Sequence, residues 1–190
     1  MKKEIRLAEL RMAQNSSDEM IVEGNPVVYG VPTVIFESDG IQYKEIIEPG
    51  ALVGVDMSDV PFRYDHESSV MIMARTRSKT LTITPDANGM SIRAALANTT
   101  AGKDLYELIK RGDIDKMSFA FLVAEDSYNR ETRTRHIIKF KKIFDVSAVV
   151  FPAYDSAGIS ARDFFSAKTD AEKIAKEEEI RKRLIIATYL

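Results

Sequence analysis

The chain changes its hydrophobic period twice, and this constrains its fold more than any other feature. Up to Leu96 apolar residues recur at alternate positions in short runs, most strictly at residues 80–84 (TLTIT). Such alternation, rich in β-branched residues, marks strands with one buried face. Near Thr99 or Thr100 the period becomes helical and stays so to about Arg111, with Leu105, Leu108 and Ile109 on one face. Either threonine can cap the start, and Gly112 suits the position after the end. Alternation then returns at Met117. One helix embedded among strands predicts an α+β chain that is mainly β, most economically a partly closed barrel with a central helix.

The other segments fit this reading. Residues 20–29 (MIVEGNPVVY) are β-prone but broken by Gly24 and Pro26, which suits a strand with a bulge or bend. Residues 41–47 (IQYKEII) read as a strand, and Pro49-Gly50 as a turn. Short strands are expected at 60–66 and 70–74, turn chemistry at 86–89, and a strand again at 90–96. Residues 117–123 form the next strand, a polar stretch covers 126–133, and strands follow at 134–140 and 142–151. Pro152 ends the last. Beyond it the composition shifts. Residues 168–190 are highly charged, close on LIIATYL, and read as a helix with Ile174, Ile180 and Leu184 as a stripe too narrow for core packing. The expected organisation is one domain over residues 1–165 and a charged helical tail, mobile or partner-binding, over 166–190.

Composition narrows the function classes. The 190 residues are 45% hydrophobic and 29% charged, enough apolar material for a sizeable core. A formal net charge of -2 gives no global field to recruit nucleic acid or an anionic membrane. The absence of cysteine excludes disulfides and thiolate metal sites, and an intracellular location is the expectation. The opening MKKEIRLAELRMAQ lacks the apolar core of a signal peptide, and no apolar run approaches a membrane span of ~18 residues. Phosphate loops, dinucleotide fingerprints, zinc-protease helices and the nucleophile elbow of α/β-hydrolases are absent.

Five residues or pairs can carry chemistry. His66 stands in RYDHE, one of two histidines in the chain. A metal site there would need Asp65 and Glu67, which point to the opposite face if the strand persists. Read locally, His66 is either an ordinary hydrogen-bonded histidine or a catalytic one. Ser118, in KMSFAFLV, shares a face with small Ala120, leaving room for a substrate, but needs a base within reach. Asp145 interrupts the apolar run KIFDVSAVVF, where parity places it with Ile143, Ser147 and Val149, and an acid there must be paired. His136 (RTRHIIKF) is either structural or the orienting member of a triad. Arg75 and Arg77 (ARTRS) are surface charges or donors toward an oxyanion.

Taken in order, these pieces resemble the phage prohead (capsid maturation) protease family, related in fold to herpesvirus assemblin. EGNPVVYG resembles the family's opening strand, and YKEIIEPGAL its segment ending in Gly-Ala-Phe, with leucine last here. RYDHE and VMIMARTRSKTLTI are similar to its histidine strand and following hairpin. AALANTTAGKDLYELIKRGDIDKMSFAF resembles its helix and serine strand, with Ala120 where a small residue or glycine is usual. IFDVSAVVFPAYDSAGISAR resembles its closing strand and the turn beyond.

The resemblance implies a serine endopeptidase that trims scaffold or capsid-protein extensions, and itself, inside assembling proheads in the bacterial cytoplasm. Ser118 would be the nucleophile and His66 the general base. Asp145 would be the third member, with His136 the alternative if the two-histidine arrangement of assemblin applied. No cofactor or metal is implied. The partners would be the major capsid protein and the scaffold, with self-association open, and neither nucleic acid nor membrane. A second class is a catalytically silent capsid-assembly module of the same fold. A nucleic-acid-binding barrel ranks last, because its basic runs are short.

Overall fold

The computed structural model describes residues 3–13, 19–67, 72–150, 164–171, 174 and 177–184. In chain order the elements are β1 (Glu4–Met12), β2 (Ile21–Val28), β3 (Thr33–Ser38), β4 (Ile41–Ile47), β5 (Pro61–Tyr64), β6 (Ala74–Arg75), β7 (Leu81–Pro85), β8 (Gly89–Ala95), α1 (Thr100–Arg111), β9 (Lys116–Asn129) and β10 (Thr134–Val149). Residues 164–171 and 177–184 are also helical. The fold is mainly β, of the α+β class. Its strands run β3-β4-β10-β9-β1-β2-β8-β7, with β5 beside β10 and β6 beside β5. Among the described residues no pairing joins β3 to β7, so hydrogen bonding does not close the sheet.

The long β9–β10 hairpin is the spine. Asn129 Oδ1 accepts from the amides of Glu131 and Thr132 at 3.0 and 3.2 Å, which fixes the turn between the strands. The polar residues 126–129, expected as a loop, extend β9 instead. They are satisfied by pairing with β10 from Thr134 to Ile137. Alternation on β9 buries Met117, Phe119 and Phe121 completely. The rings of Phe119 and Phe121 lie 5.0 Å apart, and Phe140 meets Phe121 edge-on at 4.9 Å. Each such buried side chain contributes roughly 1.5–3 kcal/mol from burial.

Helix α1 matches its expected bounds. Thr99 Oγ1 accepts from the Gly102 amide at 3.1 Å, and Gly112 closes the helix at φ 81°. Leu105 and Ile109 are buried as expected, but Leu108 is 36% exposed, so the buried stripe is narrower than the periodicity suggests. In β2, Asn25 and Pro26 fall where the register with β8 shifts between Gly24 and Val27, as the Gly-Pro break implied. The first residues of the run at 70–74, the turn beyond Pro152 and the closing residues past Leu184 lie outside the described residues.

Two strands carried no readable signal, β1 and β3. β1 is central, between β9 and β2, yet its charges hide the alternation. Glu4 and Arg6 face inward to a buried ion cluster. Arg6 makes a two-pronged contact with Glu45 (2.6 and 2.6 Å) and a bond to Glu4 at 2.8 Å. Arg135 grips Glu4 at 2.7 and 3.0 Å and Asp126 at 2.6 Å. Its guanidinium also lies 4.2 Å from the ring centre of Phe164. Burial works against each charge, but the mutual contacts prevail: the Glu4 carboxyl is held below its ordinary value and the Arg6 guanidinium above its own.

The start of the C-terminal helical segment is docked. Phe165 is fully buried against Tyr43, 5.2 Å between ring centres, and Thr169 Oγ1 donates to the Tyr43 hydroxyl at 3.0 Å. Farther along, Ile174, Ile180 and Leu184 are exposed.

Candidate active site

Ser118 is fully buried on β9, on the face opposite Met117 and Phe119. Its register partners are Ser147 on β10 and Leu7 on β1. Asp145 reaches the same face through a bulge. Ile143 stands opposite Phe121, whereas Asp145 stands opposite Ala120, so two steps on β10 match one on β9. Simple parity placed Ile143 and Asp145 on one face. The bulge separates them, sending Ile143 into the core and Asp145 toward Ser118.

His66 arrives from a turn. β5 ends at Tyr64, and Asp65 and His66 both take left-handed backbone, φ 51° and 58°. Non-glycine residues adopt this region sparingly, at a cost of order 1–3 kcal/mol each. The turn is held by Asp65 N–H on the Ala148 carbonyl (2.8 Å) and Glu67 N–H on the Tyr64 carbonyl (3.0 Å). The expected strand over 60–66 therefore stops short, and strand parity does not govern His66. The turn swings the imidazole back over β9 and β10, so it meets Ser118, Asp145 and Ser147, all remote in sequence.

His66 Nε2 lies 2.8 Å from Ser118 Oγ, and His66 Nδ1 is hydrogen-bonded to Asp145 Oδ1. With the proton on Nδ1 directed at the carboxylate, Nε2 carries the lone pair that can accept from the serine hydroxyl. Burial pushes the Asp145 carboxyl up, but its bonds to His66 and Lys3 outweigh that, and it is held below its ordinary value. The carboxylate thus stays ionised beside the imidazole.

Two further participants, Ser147 and Lys3, are not among the candidates singled out from the sequence. Ser147, completely buried, donates to Asp145 Oδ1 at 3.2 Å and lies 3.3 Å from His66 Nδ1. Its place two residues beyond Asp145, past the bulge, was the available clue. Lys3 Nζ reaches Asp145 Oδ2 at 3.0 Å across 142 residues of chain, a separation no local pattern reveals.

The remaining candidates sit elsewhere. His136 Nδ1 bonds Glu48 Oε1 at 2.6 Å. It lies nine residues before Asp145 on β10, about 30 Å along an extended strand. Arg75 clasps Asp59 at 2.5 and 2.9 Å, and Arg77 lies 3.9 Å from the same carboxylate. A groove of about 600 Å³ borders β1, β2 and the β3–β4 hairpin, but His66, Ser118 and Asp145 do not line it. Among the described residues no group of three or more His, Cys, Asp or Glu could hold a metal ion, and no helix is long and apolar enough to cross a membrane.

A hydroxyl, an imidazole and a carboxylate in series, carried on one mainly β sheet, form a constellation of the serine acyl-transfer kind. The chain belongs to the caudovirus prohead serine protease family, whose model matches residues 7–172. It is 27% identical over 129 residues to the prohead protease of Enterobacteria phage HK97, an alignment covering 66% of this chain and 54% of that protein. The chain thus spans about half the length of this curated relative. It also resembles the capsid assembly protease of bacteriophage T4, with 12% identity and a TM-score of 0.47 over 80% of this chain and 100% of that one.

Proposed function

We propose that the chain is a serine endopeptidase of phage prohead maturation, with Ser118 as nucleophile, His66 as general base and Asp145 as the group that orients and stabilises the imidazolium. The observation that carries this reading is the line from Ser118 Oγ through His66 to Asp145. In the acylation step Ser118 Oγ attacks the scissile carbonyl while His66 Nε2 takes its proton. The imidazolium gives that proton to the leaving amine, and Asp145 remains ionised throughout. Water, deprotonated by the same nitrogen, then releases the acyl group and restores the serine. Ser147 steadies both Asp145 and His66, and Lys3 holds the second carboxylate oxygen.

The family is that of prohead serine proteases and the HK97 relative is a prohead protease, so the substrates proposed for this chain are capsid-protein and scaffold extensions, and its own chain. The site of action is the assembling prohead in the host cytoplasm. On the same reading the fold is a partly closed, assemblin-like barrel. Residues 1–165 form the protease domain and 166–190 a charged helical tail.

A fluorophosphonate probe followed by peptide mapping tests the assignment. The expected result is labelling of Ser118 in the folded protein, lost on denaturation and in His66→Ala. Absence of labelling, together with an uncut capsid protein on co-expression, would instead leave a silent assembly module.

A further inference from the structure

Among the described residues, the central strand β1 has no strand partner along part of one edge. It pairs with β9 from Glu4 to Glu9, but with β2 only from Leu10 to Met12. β2 is carried away at the irregularity over Asn25 and Pro26. The direction of the backbone groups follows from two bonds: the Leu10 amide donates to Asp115 on the β9 side, and the Ala13 amide to Ile21 on the β2 side, both at 2.9 Å. Alternation then points the N–H and C=O groups of Ile5, Leu7 and Glu9 away from β9. The Ile5 carbonyl accepts from Arg6 Nη1 at 2.7 Å. The Glu9 carbonyl faces β2 at Gly24, so the edge left without a strand partner among the described residues is short and centred on Leu7.

That edge opens into the groove of about 600 Å³, whose walls include Leu7, Val28, Val31, Val34 and Ile47. Val28, Val31 and Val34 are 50%, 50% and 46% exposed, a cluster of apolar side chains in water beside unpaired backbone. Apolar walls alone would suit many occupants. Apolar walls flanking a free strand edge suit an extended polypeptide, because such a chain satisfies the amides and buries alternate side chains at once.

We infer that this groove is an exosite that takes up an extended segment of the polypeptide substrate by strand addition to β1, with β-branched apolar side chains at alternate positions. The identity of the occupant as substrate rests on the endopeptidase reading. Leu7 lies opposite Ser118, so a chain on the far edge of β1 is two strand spacings, roughly 10 Å, from the nucleophile's strand. The segment bound there is therefore not the scissile bond. It tethers sequence flanking the cut.

Binding can be measured apart from cleavage in full-length Ser118→Ala, using fluorescence anisotropy with the labelled peptide Lys-Thr-Val-Thr-Val-Thr-Val-Lys. Saturable binding is expected, weakened about tenfold or more by Val34→Lys. It should be lost when alternate amides of the peptide are N-methylated in one phase and kept in the other, since only one peptide edge meets β1. Hydrogen exchange at Leu7 should slow on binding. No saturable binding, or binding indifferent to Val34→Lys and to both methylation patterns, overturns the exosite. So does a chain that sediments as a dimer which Val34→Lys dissolves, because the edge would then serve self-association. If binding fails while Ser118 is labelled and capsid protein is cut, the exosite falls and the protease stands. If binding succeeds without labelling or cleavage, the groove stands and the protease falls.

Discussion

His66 meets Ser118 at 2.8 Å from a left-handed turn rather than from a strand. The serine is fixed in the middle of the sheet, whereas the histidine is carried on a two-residue device at the end of the short strand β5. Neither residue supports the core, which lies on the other face of β9, so the pair can be altered without opening the hydrophobic interior.

Ser118→Ala and His66→Ala should therefore stop capsid-protein processing while the domain stays folded. General-base assistance alone is worth ~10²–10⁴-fold. Gel densitometry of co-expressed capsid protein reads the loss, and circular dichroism with a thermal melt reads the fold. Processing at wild-type rate in either variant removes that residue from the mechanism.

Asp145→Asn should cost less than loss of the nucleophile, because the oriented serine and imidazole remain. His136→Ala should leave processing close to wild type, since His136 is engaged with Glu48. Paired rate measurements decide the matter: a larger loss in His136→Ala would establish the two-histidine arrangement instead.

Ser147→Ala removes one buried hydroxyl shared by Asp145 and His66. A net hydrogen bond is worth about 1 kcal/mol, so kcat should fall about fivefold with KM unchanged. A rise in KM with constant kcat would place Ser147 in substrate binding rather than in positioning.

The buried ion cluster should make the fold acid-labile. The Glu4 carboxyl is held below its ordinary value of 4.5: burial raises it, but the bond from Arg135 and the charge of Arg6 prevail. The folded form thus binds its proton less readily than the unfolded chain. This stabilisation is complete above the unfolded value and drains away as pH falls through the lower folded one. Asp145, lowered from 3.8, carries the same sign. Urea titrations should show the midpoint dropping below about pH 4.5 with only a small effect of salt, because the pairs are buried. Glu45→Gln, which leaves Arg6 short of a charge, should cost about 3–5 kcal/mol at neutral pH.

Local sequence determined the elements whose signals are local. The helix cap at Thr99, the stop at Gly112, the break in β2 and the alternation that buries Met117, Phe119 and Phe121 all depend on neighbouring side chains and backbone preferences. Ser118, His66 and Asp145 could be singled out the same way, as a serine beside a small residue, a rare histidine and an acid in an apolar run. Their meeting could not. It depends on a bulge that changes the face of Asp145, a left-handed turn that redirects His66, and a lysine 142 residues from its partner. β1 shows the same limit, since no local pattern marks Glu4 and Arg6 as buried: Arg135 and Glu45 arrive from other strands to neutralise them. Periodicity reports which groups water would reject. Only the folded chain decides which charges find partners, and so which polar groups can be buried and set to work.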